Sequence, residues 1–191
     1  MDQLLTDIRK CTHCSAHLKL GPNPVMSAHP ASKIVIIGQA PGTRVHQTGI
    51  PWNDPSGNNL RRWMAIGEAD FYNPALVAII PMGFCYPGKG KSGDLPPRPE
   101  CAPLWHQQLL DQMQNVQLTL LIGQYAQRYY LQDRMKSTLT ETVRNFEDYL
   151  PHFLPLPHPS PRNNIWMKKN PWFEKEVLAV LRSLVRGCLE E

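Results

Sequence analysis

The stretch Lys33–Gly38, KIVIIG, predicts the fold of this 191-residue chain. Its four consecutive β-branched residues are typical of a strand buried on both faces, because a half-exposed strand alternates apolar and polar residues. The glycine at its end favours a turn directly after the strand. The stretch therefore indicates a central strand of a parallel sheet.

Three further segments repeat this pattern, and helical patterns separate them. The apolar segments are ALVAII (75–80), LTLLIG (118–123) and HFLPLPH (152–158). The last contains prolines, which cannot donate to a strand ladder, so we expect it at an edge of the sheet. The helical patterns cover residues 2–9, 57–67, 100–115, 124–132 and 172–187. This alternation predicts a single α/β domain over residues 1–191, with a central four-stranded parallel sheet flanked by helices on both faces.

Composition narrows the class of protein. Apolar residues make up 42% and charged residues 19% of the chain, as in an ordinary globular domain. No apolar run reaches the length of a membrane span, and the start, MDQLLTDIRK, lacks the apolar core of a signal peptide. We therefore expect a cytoplasmic protein without membrane contact. The net charge of +4, from 20 basic and 16 acidic residues, is compatible with a nucleic-acid partner without requiring one.

Four of the five cysteines have the spacing of a metal centre. Cys11 and Cys14 form a Cys-x-x-Cys pair, and Cys85 and Cys101 enclose a fifteen-residue loop. Paired cysteines in a cytoplasmic protein are more often ligands than disulfides. Four thiolates are the ligand set of both iron–sulfur clusters and structural zinc, so the spacing leaves these two metals open. Cys188 is expected to be an ordinary buried cysteine.

Polar loops follow the predicted strands, and in a parallel sheet such loops meet at one edge. GQAPG (38–42) follows the first strand and leads into GIPWNDPSGNNL (49–60), which contains Trp52 and Asp54. An indole on a polar loop is suited to stacking on a planar base. Asp54 is either a helix cap or a functional carboxylate. HPSPRNN (158–164) places His158 in a loop stiffened by prolines.

A match to a nucleotide-binding pattern is rejected. GKGKSG (88–93) satisfies G-x-G-x-x-G, but DLPPRP follows it, and a run with this many prolines cannot form the helix that a dinucleotide site requires. We therefore expect no nucleotide cofactor.

Together, GQAPG, the aromatic loop, the two cysteine pairs and HPSPRN resemble the uracil-DNA glycosylase superfamily, in particular its iron–sulfur branches, families four and five. The likeness runs from Cys11 to about Asn164, with the motifs in the family's order. It implies a four-stranded parallel sheet and a 4Fe–4S cluster held by Cys11, Cys14, Cys85 and Cys101, with zinc as the alternative.

The resemblance also assigns roles to site residues. Trp52 falls where the family has a phenylalanine that stacks on the flipped uracil, with Gln39 and Ala40 beside the base. His158 falls on the histidine that stabilises the departing base. The loop that enters the minor groove of DNA corresponds to Ser160, Pro161, Arg162 and Asn163.

Three positions are informative because they concern the reaction itself. Gln39 replaces the acidic residue of family four. Family five relies instead on an aspartate in a D-A-S-G stretch, to which Asp54 of DPSG corresponds. Pro81 replaces an asparagine that reads uracil, so the resemblance leaves the excised base open.

These inferences predict a monomeric DNA glycosylase that uses His158 and Asp54 to hydrolyse the N-glycosidic bond of a flipped-out uracil or other deaminated base in DNA. Two other functions stay open. One is a catalytically silent nucleic-acid-binding protein of the same fold, and the other is a hydrolase of free nucleosides or nucleotides.

Overall fold

The computed structural model describes residues 1–190, so the last residue of the predicted domain lies outside the described part. Four parallel strands form one sheet in the order β2-β1-β3-β4. The strands are β1 (Ile34–Ile37), β2 (Val77–Ile79), β3 (Leu118–Ile122) and β4 (Phe153–Leu156). The predicted α/β sheet is confirmed, and β4 lies at an edge as its prolines indicated.

The helices of the chain surround this sheet. They are α1 (Asp2–Arg9), α2 (Thr43–Thr48), α3 (Pro55–Met64), α4 (Glu68–Phe71), α5 (Cys101–Leu110), α6 (Gln124–Leu131), α7 (Leu139–Arg144), α8 (Asn164–Lys169) and α9 (Leu178–Glu190). A π-helical turn, Phe173–Val177, leads directly into α9. The predicted helix at 57–67 ends earlier, at Met64, and the one at 100–115 ends at Leu110. Sequence periodicity missed α2, α4, α7 and α8, which are only four to six residues long.

The sheet has a hydrophobic core on each face, because its strands are buried on both sides. In β1, Ile34 and Ile36 point into one core, and Val35 and Ile37 point into the other. The first core includes α3 and α9, and the second includes α1, α5 and α6. This arrangement explains the uninterrupted apolar run of KIVIIG. No helix among residues 1–190 has both the length and the apolar character needed to cross a membrane.

Candidate active site

A cleft opens at the carboxyl edge of the sheet, where loops after β1, β2 and β4 meet. Its volume, including the solvent-filled space at its mouth, is about 420 Å³. The structure brings five of the predicted site residues into its lining: Gln39, Ala40, Trp52, Asp54 and His158. Residues from three distant segments thus share one cleft, as expected for the carboxyl ends of parallel strands.

His158 lies two residues after β4 and is held in a defined tautomer. The backbone N–H of Ser160 donates to its Nδ1 at 3.2 Å. Since Nδ1 accepts, the proton of the neutral ring resides on Nε2. Burial lowers the pKa of His158, an effect opposed by the negative charges of Asp54 and Asp94. The cleft therefore contains a neutral imidazole with an N–H donor at Nε2.

Trp52 adopts a conformation that is rare for a bulky side chain. Its φ angle is 54°, in the left-handed region, which costs about 1–3 kcal/mol. A Cβ at Gly57 would overlap the carbonyl oxygen of Trp52, and a Cβ at Gly38 would lie 2.8 Å from the indole ring. Two glycines therefore make room for the backbone and the ring of Trp52. The indole lies beside the His158 imidazole, with ring centroids 5.6 Å apart and planes tilted by 34°.

Asp54 caps a helix and also lines the cleft. Its Oδ1 accepts from the backbone N–H of Gly57 at 2.8 Å and so caps the amino end of α3. The same side chain lines the cleft. The cap fixes the carboxylate in place, because a carboxylate bonded to a helix N-terminus loses rotational freedom.

Pro81, the residue in place of an asparagine, also lines the cleft and is buried. Its carbonyl oxygen lies 3.0 Å from Nε2 of His106, whose Nδ1 lies 2.7 Å from the hydroxyl of Tyr130. A carbonyl accepts only, so Nε2 of His106 donates and Nδ1 accepts from the tyrosine. These two buried hydrogen bonds thus fix the loop after β2 at the wall of the cleft.

The loop after His158 is fastened by its own side chains. The amide of Asn163 donates to the carbonyl of His158 at 2.7 Å, and Asn59 of α3 donates to the carbonyl of Pro159 at 2.9 Å. The side chain of Ser160 accepts from the backbone N–H of Arg162 at 3.3 Å. Of the four residues predicted to meet DNA, Pro161 and Arg162 are exposed, while Ser160 and Asn163 hold the loop together.

Sequence reasoning missed three residues around the cleft. Asp94 reaches the His158 side from the loop between Cys85 and Cys101, and its carboxylate lies 3.6 Å from a Cβ position at Gly42. Asn59 and His106 anchor two of the loops. Asp94 and His106 belong to no quoted motif, and Asn59 lies in the segment 49–60 without a local sign of its contact, since each of the three acts through a residue far away in the chain.

The four cysteines of the predicted metal centre line a second pocket, which is partly open to solvent. Leu18, Phe84 and Trp105 contribute apolar walls, and the backbone N–H of Phe84 donates to Sγ of Cys101 at 3.3 Å. Within residues 1–190, no group of three or more His, Cys, Asp or Glu side chains converges on a position for one metal ion. Four thiols on one pocket are the ligand set of both an iron–sulfur cluster and structural zinc.

Burial raises the pKa of two of these thiols, that of Cys85 to about 11 and that of Cys101 to about 12. The pKa of Cys14 is also raised, chiefly by burial. Without a cation these groups are therefore neutral thiols near pH 7. Binding of a metal or cluster would release their protons, because thiolates are the ligands.

The family model of the uracil DNA glycosylase superfamily matches residues 26–182 of the chain. The match covers every residue named above in the cleft and includes Cys85 and Cys101, whereas Cys11 and Cys14 precede it. Matched over most of its length, with the four-stranded parallel sheet expected of this fold, the chain belongs to the uracil DNA glycosylase superfamily.

Proposed function

We propose that this protein hydrolyses the N-glycosidic bond of a uracil or another deaminated base that has been flipped out of DNA. The observation that carries the proposal is the single cleft shared by Trp52, Asp54 and His158. The target bond is inaccessible within a stacked duplex, so the nucleotide must leave the stack before the reaction. In this cleft the indole can hold the base, the imidazole can stabilise the base as it leaves, and the carboxylate can act on the sugar.

The base is held by stacking and leaves as an anion. Trp52 lies where its ring can cover one face of the base, and such stacking contributes about 1–3 kcal/mol per base. When the bond from C1′ to the base nitrogen breaks, the electron pair stays on the base and negative charge develops on its carbonyl oxygen. The Nε2–H of neutral His158 donates to that oxygen, and preorganised donors of this type often account for much of the rate enhancement.

The sugar becomes cationic in the same step, and Asp54 is the carboxylate assigned to it. Its negative charge stabilises the oxocarbenium-like sugar and orients the water that adds to C1′, as carboxylates do in glycoside hydrolysis. The oxygen of the water bonds to C1′, and the proton that the water loses ends on the base anion, which leaves a neutral free base and an abasic site. The hydrogen bond from Gly57 keeps this carboxylate in position during the reaction.

We also propose that Cys11, Cys14, Cys85 and Cys101 hold a 4Fe–4S cluster. The four cysteines line one pocket with apolar walls, and four thiolates are the ligand set of such a cluster, which supports the proposal. The cluster would supply a structural link between the N-terminal segment and the loop that follows β2. A monomeric state and a cytoplasmic location remain predictions.

A panel of oligonucleotides tests the main proposal. Uracil, hypoxanthine and xanthine are placed in single and double strands, and release of the base is measured for each, with an undamaged oligonucleotide as the control. We expect release of at least one of these bases. Binding to duplexes with an abasic site or a mismatch without any release would favour the silent DNA-binding alternative. Turnover of free nucleosides alone would favour a hydrolase of free nucleosides or nucleotides.

A further inference from the structure

A small hairpin lies at the rim of the cleft, in the loop between Cys85 and Cys101. It covers residues 88–95, where Lys89 pairs with Asp94 in an antiparallel bridge. The backbone N–H of Gly90 donates to the carbonyl of Gly93 at 2.7 Å and closes the turn. It contains the segment GKGKSG (88–93), which the function proposed above does not use.

Contacts with cleft residues hold the hairpin in place. Nε2 of Gln39 lies 3.5 Å from the carbonyl oxygen of Leu95, and the hydroxyl of Tyr86 donates to Asp94 at 3.2 Å. The Asp94 carboxylate also lies 3.6 Å from the position that a Cβ at Gly42 would take, and Gly42 is another residue of the cleft lining. The contacts of Asp94 and Leu95 therefore fix the position of the hairpin relative to the cleft, while the tip of the hairpin faces solvent.

The tip carries positive charge that is not neutralised. Lys89 and Lys91 are exposed, and neither forms an ion pair with any residue of the described chain. Nη1 of Arg162, from the loop after His158, lies 3.9 Å from a Cβ position at Gly93. A third exposed cation thus approaches the hairpin from the other side of the cleft. Asp94, the acidic residue of the hairpin, already accepts a hydrogen bond from the hydroxyl of Tyr86.

We propose that the hairpin at 88–95 binds the sugar–phosphate backbone of DNA next to the flipped nucleotide, with Lys89 and Lys91 contacting phosphates. This inference rests on the proposed function. Flipping requires the backbone to be held beside the nucleotide that leaves the stack, and phosphate contacts from basic side chains provide such positioning without reading sequence. Lysine ammonium groups that already lie unpaired in solvent lose no protein ion pair when they meet a phosphate.

The proposal predicts a specific change in the salt dependence of DNA binding. The double variant Lys89→Ala/Lys91→Ala is compared with the wild-type chain by fluorescence anisotropy, on a duplex with a stable abasic-site analogue, at several salt concentrations. Each lost phosphate contact makes the plot of log affinity against log salt shallower by about one. We therefore expect the slope of the double variant to be shallower by about two.

The matched control is Lys33→Ala/Lys136→Ala, which removes the same amount of charge. Lys33 directly precedes β1, and Lys136 pairs at 2.8 Å with Asp148, shortly before β4, so both lie at the amino edge of the sheet. We expect the salt slope of this control to match that of the wild-type chain. Thermal melts check that both variants are folded. We expect Lys89→Ala/Lys91→Ala to melt like the wild-type chain, because both side chains are exposed.

Two outcomes would overturn the proposal and can be told apart. If the wild-type chain binds the duplex and the salt slope of Lys89→Ala/Lys91→Ala equals that of the wild-type chain, the hairpin makes no phosphate contact, although the proposed function stands. If the wild-type chain neither binds the duplex nor releases a base from the oligonucleotide panel, the proposed function fails, and the hairpin inference fails with it.

Discussion

The imidazole of His158 and the indole of Trp52 lie side by side in the cleft, with their ring centroids 5.6 Å apart. Trp52 lies in the connection that follows β1, after helix α2, and His158 lies two residues after β4. Strands β1 and β4 are separated in the sheet by β3, so the two rings meet only because both loops bend over the same edge. A base stacked on Trp52 would therefore lie within reach of a donor on His158.

Replacement of His158 tests the donor role. We expect His158→Ala to reduce the single-turnover rate of base release by about 10²–10³-fold, the usual effect of removing one preorganised donor. The matched control is His152→Ala, because His152 is exposed and lies at the opposite edge, just before β4. An unchanged rate of release in the His158 variant would rule out the proposed mechanism.

Two substitutions at Asp54 separate its two roles. Asp54→Ala removes both the helix cap and the charge, so we expect slower release and a loss of about 1 kcal/mol in the free energy of unfolding. Asp54→Asn keeps a good capping residue, and we expect it to unfold like the wild-type chain while base release is still slowed. Base-release assays and urea unfolding measure the two effects. Normal activity in Asp54→Asn would assign this residue to the cap alone.

The packing of Trp52 depends on Gly57. We expect Gly57→Ala to destabilise the fold and displace Trp52, because the added methyl group would overlap the carbonyl oxygen of Trp52. Gly67→Ala is the control, since a Cβ at Gly67 meets nothing within 4 Å. Thermal melts and tryptophan fluorescence compare the two variants. Equal melting temperatures would contradict the described approach of Trp52 to Gly57.

Buried His106 predicts a loss of stability in acid. Burial lowers the pKa of His106 to about 4, below its ordinary value of 6.5, while a hydrogen bond to Pro81 opposes the shift. The unfolded chain thus binds the proton first as the pH falls, so the free energy of unfolding decreases between about pH 6.5 and 4. A shift of this size corresponds to about 3 kcal/mol over the whole window.

The measurement is urea unfolding at a series of pH values for the wild-type chain and for His106→Phe. Aromatic rings of Phe84 and Tyr130 pack against His106, so a phenylalanine fits the same surroundings, although it lacks the two hydrogen bonds. We expect the variant to show a shallower dependence of stability on pH in this window. Parallel curves for the two proteins would contradict a buried neutral imidazole.

The cysteine cavity predicts a bound cluster that depends on each of its four thiols. We expect protein purified without oxygen to be brown and to contain iron and acid-labile sulfide, and we expect Cys101→Ser to lose both. Cys188→Ala is the control, because Cys188 is buried in the hydrophobic core and lies outside the cavity. Zinc in place of iron in the wild-type protein would contradict the cluster.

Sequence patterns predicted those parts of the fold that depend on neighbours along the chain. The four strands were located by their apolar runs, and the long helices by their periodicity. Helix α7 was missed although Thr138 and Glu141 form a capping box, a signal that local reasoning can detect. The left-handed conformation of Trp52 carried no such signal, since its surroundings, not its own preference, stabilise it.

The sequence alone determined the class of sheet, the edge at which polar loops gather and the residue types available there, because apolar patterning acts over short distances. The tertiary structure decided which of those loops touch. Asn59 bonds to Pro159, Gln39 lies beside Leu95, and Arg162 approaches Gly93. Each of these contacts joins residues far apart in the chain, and their spacing depends on strand order and loop conformation, which no local pattern encodes.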